Sequence, residues 1–323
     1  MLPALQPLTG EGARGHVHPS RGFLNARGLA FARAAFGLLI VLFWVAMVVR
    51  DWQGLAESRW TIDAPSAFAS LVAFAVYFVA LGVGWTLVAR GLGHGLPLSG
   101  GLSTWLLSMP ARYVPGNVWH IAARVRLAGR YNVPAPGVVT ASALEQALTV
   151  ISAAGLGLLW LPARLGSHWV APIGLAFLAC LLLLQPPVLN RGLRIAARLF
   201  GKAAPNVPLD YRRMAALATW YCLVNALNGL AFALLASATG GSTSIALVPV
   251  LASAYCLAYV VGYVSLLTPS GVGVREAALA SMLSLYLPAG AAITLSLLAR
   301  LFSTAGEALA VLLVGIPLVR RSR

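Results

Sequence analysis

Residues 66–89 read SAFASLVAFAVYFVALGVGWTLVA, a run without a single charge. As a helix rising about 1.5 Å per residue it spans about 36 Å, more than the roughly 30 Å hydrocarbon core of a bilayer. Comparable runs lie at 29–49, 138–161, 169–189, 215–238, 245–268 and 290–318. Across 323 residues 59% are apolar and 10% charged, where a soluble domain carries about 25% charged residues. The mean hydropathy is +0.84. The expected fold is therefore all-α: a polytopic integral membrane helical bundle.

Arg supplies nearly all the positive charge, and Lys202 is the only lysine. Most Arg fall outside the apolar runs, so the formal charge of +15 points to membrane orientation and not to nucleic-acid binding. Cys180, Cys222 and Cys256 each sit in apolar sequence with neither CxxC spacing nor a neighbouring His. They read as small buried hydrophobes, so no metal or cofactor is expected. Residues 1–28, rich in Gly, Pro, His and Arg, read as a basic cytoplasmic tail. The membrane domain is expected over 29–318, followed by a short basic cytoplasmic tail at 319–323.

The charges sort by side. Segments 1–33, 90–134 and 190–213 and the last few residues are strongly positive. Segments 50–63, 162–168 and 239–244 are not. Loops rich in Arg and Lys face the cytoplasm, which places both termini inside. An inside C-terminus requires an even number of crossings. Seven long runs are one short, so 273–287 is expected to cross as the eighth. The pieces 98–110 and 118–131 are expected to dip in and return. The alternative for 273–287 is a second re-entrant hairpin.

Two breaks interrupt the apolar sequence. The first is ArgTyrValProGlyAsnValTrpHis at 112–120 and the second is ThrProSerGlyValGlyValArgGluAla at 268–277. Pro removes a backbone donor and Gly loosens the helix, so Pro115–Gly116 and Pro269, Gly271 and Gly273 mark unwound turns. Non-helical backbone at membrane depth is tolerated where it is buried in protein or lines a wet cavity. Paired interruptions of this kind point to a substrate site. A helix opening near Asn117, with Arg112 and His120 close by, suits an anion. The other reading of Arg112 is topology-setting charge in a cytoplasmic turn, which is how Arg124, Arg126 and Arg130 read. Trp119 reads as an interface anchor. The second break lacks the ending of a phosphate-binding P-loop.

Polar residues recur at helical spacing within the runs. Ser142, Glu145, Gln146, Thr149 and Ser152 share one face, as do Ser296, Arg300, Ser303 and Glu307. Tyr221, Asn225 and Asn228 form a third stripe, and Tyr255, Tyr259 and Tyr263 an aromatic column. The uncharged members read as hydrogen-bonded contacts between helices. Glu145, Arg275, Glu276, Arg300 and Glu307 either form a neutralising ion-pair network or line a polar substrate path. Arg300 and Glu307 are separated by two turns, about 10 Å, so each is expected to pair with another helix.

ArgTyrValProGlyAsnValTrp and ProSerGlyValGlyValArgGluAlaAla resemble the paired signatures of the lysylphosphatidylglycerol synthase transmembrane family, also called flippase-like domains. The resemblance covers roughly 30–318, with Ser270 standing where the family often has Gly. It implies a membrane domain that moves a lipid between leaflets. The family's bifunctional members carry a separate soluble synthase domain. None follows the last run here, so synthase activity is not expected.

The leading expectation is a lipid flippase or transporter of the bacterial inner membrane, moving a phospholipid or a polyprenyl-linked glycolipid head group. Arg112 and Arg275 would hold phosphate, and Glu145, Glu276 and Glu307 would balance charge or meet a cationic group. Asn117, His120, Asn225 and Arg300 complete the candidate head-group site. The alternatives are a membrane-embedded transferase acting on a lipid-linked sugar, and a non-transporting membrane partner of a separate glycosyltransferase or synthase. Short loops without a DxD-like metal site or a His cluster argue against the enzyme. A homo-oligomer is compatible with the sequence.

Overall fold

Asp63 starts the first helix by accepting a hydrogen bond from the Ser66 amide at 3.0 Å. Pro65 stands in the first turn, where its missing N–H costs nothing. The resulting helix α1 runs over Ala64–Gly91 and ends just before Gly93, whose φ of 89° favours glycine. The structure, a computed structural model, describes residues 62–114, 118–160, 170–183, 185–199, 209–239, 247–264 and 273–321. The expected tail 1–28 and first span 29–49 lie outside the described residues. So do Pro115, Gly116, Asn117, Pro269 and Gly271.

After α1 come α2 (Leu98–Ser108), a 3-10 turn (Met109–Tyr113), α3 (Trp119–Ala128) and α4 (Ala135–Trp160). Then follow α5 (Val170–Leu183) and α6 (Pro186–Leu199). The remaining helices are α7 (Tyr211–Ala238), α8 (Val248–Val264), α9 (Val274–Leu283), α10 (Ala289–Ala310) and α11 (Ile316–Arg321). No strand occurs among the described residues, and the chain is an all-α membrane bundle. Helices α1, α4, α7 and the continuous run from α10 into α11 are long and apolar enough to cross a bilayer. The π-helical turn Val311–Gly315 joins α10 to α11. Pro317 cannot donate to the carbonyl four residues back, and the wider π register falls at that point.

Two expected boundaries change. The run 169–189 yields the fourteen-residue α5, because Pro186 disfavours helix at Gln185 and stands instead at the start of α6. The segment 273–287, expected to make a full crossing, yields the ten-residue α9. Ten residues cover about 15 Å, roughly half of the hydrocarbon core. After Leu283 the chain turns, with the Tyr286 and Leu287 amides both donating to the Leu283 carbonyl at 2.9 Å. The even-crossing argument for an inside C-terminus therefore no longer rests on this segment. The pieces 98–110 and 118–131 form short helices packed on each other.

The helices repeat. α1, α2, α3 and α4 form a series of long helix, short helix, ten-residue helix and long helix; α7, α8, α9 and α10 form the same series. α1 and α7 run antiparallel. The Asp63 amide donates to the Ala238 carbonyl at 2.9 Å, Gly84 faces Trp220 and Tyr221, and Gly91 faces Leu209. Matching contacts recur in both series. Gly82 of α1 lies under Leu102 of α2, and Gly229 of α7 lies under Ala252 of α8. Gly157 near the end of α4 meets Leu257 of α8, and Gly315 beyond α10 meets Leu106 of α2. Such glycines permit close helix approach where lipid supplies no hydrophobic drive between helices. The two series form an inverted repeat, 63–160 and 210–315; Arg112–Glu307, Gln146–Tyr259 and Asn225–Thr149 join the halves, and the other charged pairs lie within one half.

Candidate functional site

α10 carries two charges, and one of them ties the halves together. Glu307 receives the Arg112 guanidinium through Oε2 and also the Tyr113 hydroxyl at 2.8 Å. One α-helical stretch earlier, Arg300 Nε lies 3.8 Å from Glu276 Oε1 of α9. Each thus pairs with another element, and α10 touches both breaks. Arg112 belongs to the 3-10 turn after α2 and is further held over the rings of Phe78 and Tyr113. Glu276 opens α9: its Oε2 accepts from the Gly273 amide at 2.6 Å. That is one half of a capping box, and Gly273 can supply it because its φ of 86° suits a residue without a Cβ.

Arg275, next along α9, lies over Tyr255 at 4.6 Å and Tyr259 at 5.5 Å, both on α8. Among the described residues no carboxylate lies within ion-pair distance of it. Gly262 of α8 makes room for its stem; a Cβ there would meet Arg275 Cβ at 2.7 Å. A narrow crevice lined by Tyr255, Arg275, Glu276, Ser296 and Arg300 lies at this point, too tight as it stands to hold a water molecule. Two polar atoms buried at the crevice have no hydrogen-bond partner: the Tyr255 hydroxyl and Glu276 Oε1. Contact with aromatic faces, unlike a carboxylate ion pair, does not consume the N–H donors with which a guanidinium grips a phosphate or carboxylate.

A second cluster lies under the first break. Arg124 is buried, which corrects its expected place in a cytoplasmic turn; Arg126 and Arg130 are exposed as expected. Its Nη1 donates to Glu145 Oε2 at 2.6 Å and to Ser142 Oγ at 3.2 Å, and its Nε to Ser108 Oγ at 3.1 Å. Trp105 donates to Glu145 Oε1 at 2.7 Å, and Trp85 to Ser142 at 3.1 Å. Both carboxylate oxygens of Glu145 are therefore engaged within the protein. Asn225, also expected to line the site, donates to the Thr149 carbonyl and to Ser152 Oγ, so it joins α7 to α4. Gln146 donates to the Tyr259 hydroxyl at 3.0 Å. His120 is half-buried on α3, with Nδ1 unpartnered.

The structure thus gathers Arg275, Glu276 and Arg300 in one crevice, and Arg112 and Glu307 in a second pair along α10. It leaves Glu145 and Asn225 in separate hydrogen-bonded contacts. Tyr113, Trp85, Trp105 and Ser108 were not anticipated. Within an apolar run, indole and hydroxyl donors carry no signal of which carboxylate they will meet. No group of His, Cys, Asp and Glu suited to a metal ion occurs among the described residues.

A family model, described as the lysylphosphatidylglycerol synthase TM region, matches residues 28–310. The chain belongs to this family. The match spans both halves of the inverted repeat, both ten-residue helices and the whole crevice. No curated protein matches closely enough to count as a relative. As a member of the lysylphosphatidylglycerol synthase TM region family, it is a multi-pass membrane protein of the flippase-like type with a lipid-related role.

Proposed function

We propose that the protein is a lipid transporter that passes the head group of a phospholipid or a polyprenyl-linked glycolipid across the bacterial inner membrane, with both termini in the cytoplasm. One observation carries this reading: Arg275 is a cation without a carboxylate partner among the described residues, at a crevice beside a half-helix. An unpaired cation at membrane depth is costly, and such residues mark substrate pathways. A head-group phosphate would take the guanidinium edge while the acyl or prenyl tails stay in lipid. Arg300 and Tyr255 line the same crevice and would share the anion. Arg112 would serve a second position further along α10. Transport, and not chemistry on the lipid, is what this arrangement supports. A separate enzyme, a glycosyltransferase or lipid-modifying protein, would supply the cargo.

The test is reconstitution into liposomes with labelled phospholipids and polyprenyl-linked lipids. Wild-type protein is expected to accelerate leaflet exchange of at least one of them. Arg275→Ala is expected to slow that exchange about 10- to 100-fold, the value of one charge-assisted hydrogen-bonding group. Exchange indistinguishable from empty liposomes for every lipid would sink the proposal.

A further inference from the structure

Among the described residues the charges away from the surface do not cancel. Among the described residues the cations away from the exposed surface are Arg112, Arg124, Arg275 and Arg300, and the anions are Glu145, Glu276 and Glu307. Three pairs form, Arg112–Glu307, Arg124–Glu145 and Arg300–Glu276. One positive charge, Arg275, is left over. The sequence of the two breaks outside the described residues, 115–117 and 265–272, contains no ionisable residue that would change the sum. The surplus lies in the crevice, where Arg275 and Arg300 share the single carboxylate Glu276. In a low-dielectric site an uncompensated charge of either sign is expensive.

We infer that the crevice selects lipids whose head group bears one negative charge at the bound phosphate, a phosphodiester, over lipids with a diphosphate linkage. This rests on the transport reading of the same site and narrows its substrate class. A phosphodiester brings one negative charge and returns the buried set to neutrality. A diphosphate brings at least two and leaves the set as unbalanced as before, with the opposite sign. Glu276 Oε1, which faces Arg300 at 3.8 Å but accepts no hydrogen bond, adds to the discrimination. A carboxylate lone pair facing the crevice repels a second phosphate but accepts a hydroxyl of a glycerol or sugar. Both phosphatidyl lipids and polyprenyl monophosphoryl sugars have this chemistry.

The experiment measures lipid binding to the purified full chain in detergent by native mass spectrometry at pH 8, where histidine is neutral. The probes are phosphatidylglycerol, a polyprenyl monophosphoryl hexose and the matching polyprenyl diphosphoryl hexose. At least one of the two phosphodiesters is expected to bind about tenfold tighter than the diphosphate, and which of them does so identifies the lipid source. Glu276→Gln, which adds a positive charge to the set, is expected to shift the ranking toward the diphosphate by about tenfold. Arg275→Gln, which removes the surplus charge, is expected to weaken binding of the preferred phosphodiester about tenfold, and Arg275→Lys, which keeps the charge and controls for folding, to retain both the binding and the preference. Equal binding of all three lipids, a wild-type preference for the diphosphate, no binding at all, or an unchanged ranking in Glu276→Gln would overturn the inference. Leaflet exchange that ignores head-group charge defeats this inference and leaves transport standing. Selective binding without exchange does the reverse.

Discussion

Arg124 and Arg275 show two uses of the same side chain. Arg124 is enclosed by Glu145, Ser142, Ser108 and two tryptophans, with Trp85 and Trp105 at 5.5 and 5.1 Å from its guanidinium carbon. Arg275 has aromatic faces and, among the described residues, no carboxylate within ion-pair distance. The first arrangement is structural, and its removal should show it. Glu145→Leu leaves a buried cation unpaired and is expected to cost about 3–5 kcal/mol. The double replacement Arg124→Met with Glu145→Leu is expected to recover most of that loss. Thermal unfolding in detergent measures both, and a double variant no more stable than the single one would contradict the assignment. The stripe holding Glu145 was legible because residues three and four apart share a helix face. Arg124 was not, because its partner is reached only after the chain turns between α3 and α4. That is a tertiary fact that a short helix cannot announce.

At the scale of elements, the breaks were legible and the lengths beside them were not. Pro115–Gly116 and the Pro269–Gly273 stretch announce an interruption through their backbone chemistry. The end of α9 carries no such sign: Leu283 is followed by Ser, Leu, Tyr and Leu before Pro288, so apolar sequence continues past the helix. Hydropathy therefore overstated α9 into a crossing. Close helix contact offers a direct check on the packing. A Cβ at Gly306 of α10 would meet Phe74 Cβ at 2.6 Å and the Ala75 amide nitrogen at 3.0 Å on α1. Gly306→Leu is expected to destabilise by about 1–3 kcal/mol through overpacking. Gly174→Leu on α5, where a Cβ has nothing within 4 Å, is expected to stay within about 0.5 kcal/mol. Equal melting losses for the two would mean that α10 does not lie against α1 as described.

For the whole molecule, composition alone sufficed to name a helical membrane protein, since almost no soluble sequence is so poor in charge. The inverted repeat was not read from the sequence. The two halves share helix order, half-helix length and glycine contacts, yet their residues differ, and the buried pairs even reverse sign. The half-helix gives the cation in Arg124–Glu145 and the anion in Glu276–Arg300. The antiparallel course of α1 and α7 can be tested with cysteines placed in a chain whose three native cysteines are replaced by serine. Ile62→Cys and Gly95→Cys flank α1 at exposed positions. A membrane-impermeant maleimide is expected to label them from opposite sides, and Thr239→Cys, at the end of α7, from the side of Ile62→Cys. Labelling of Ile62→Cys and Thr239→Cys from different sides would refute the inverted arrangement.

A molecule made of two like halves set upside down to each other contains its own blueprint for a second shape. Wherever the halves differ in conformation, each could adopt the other's, and the crevice beside Arg275 would then face the opposite leaflet. The fold need not be rebuilt to turn the site around; the halves need only trade places in form.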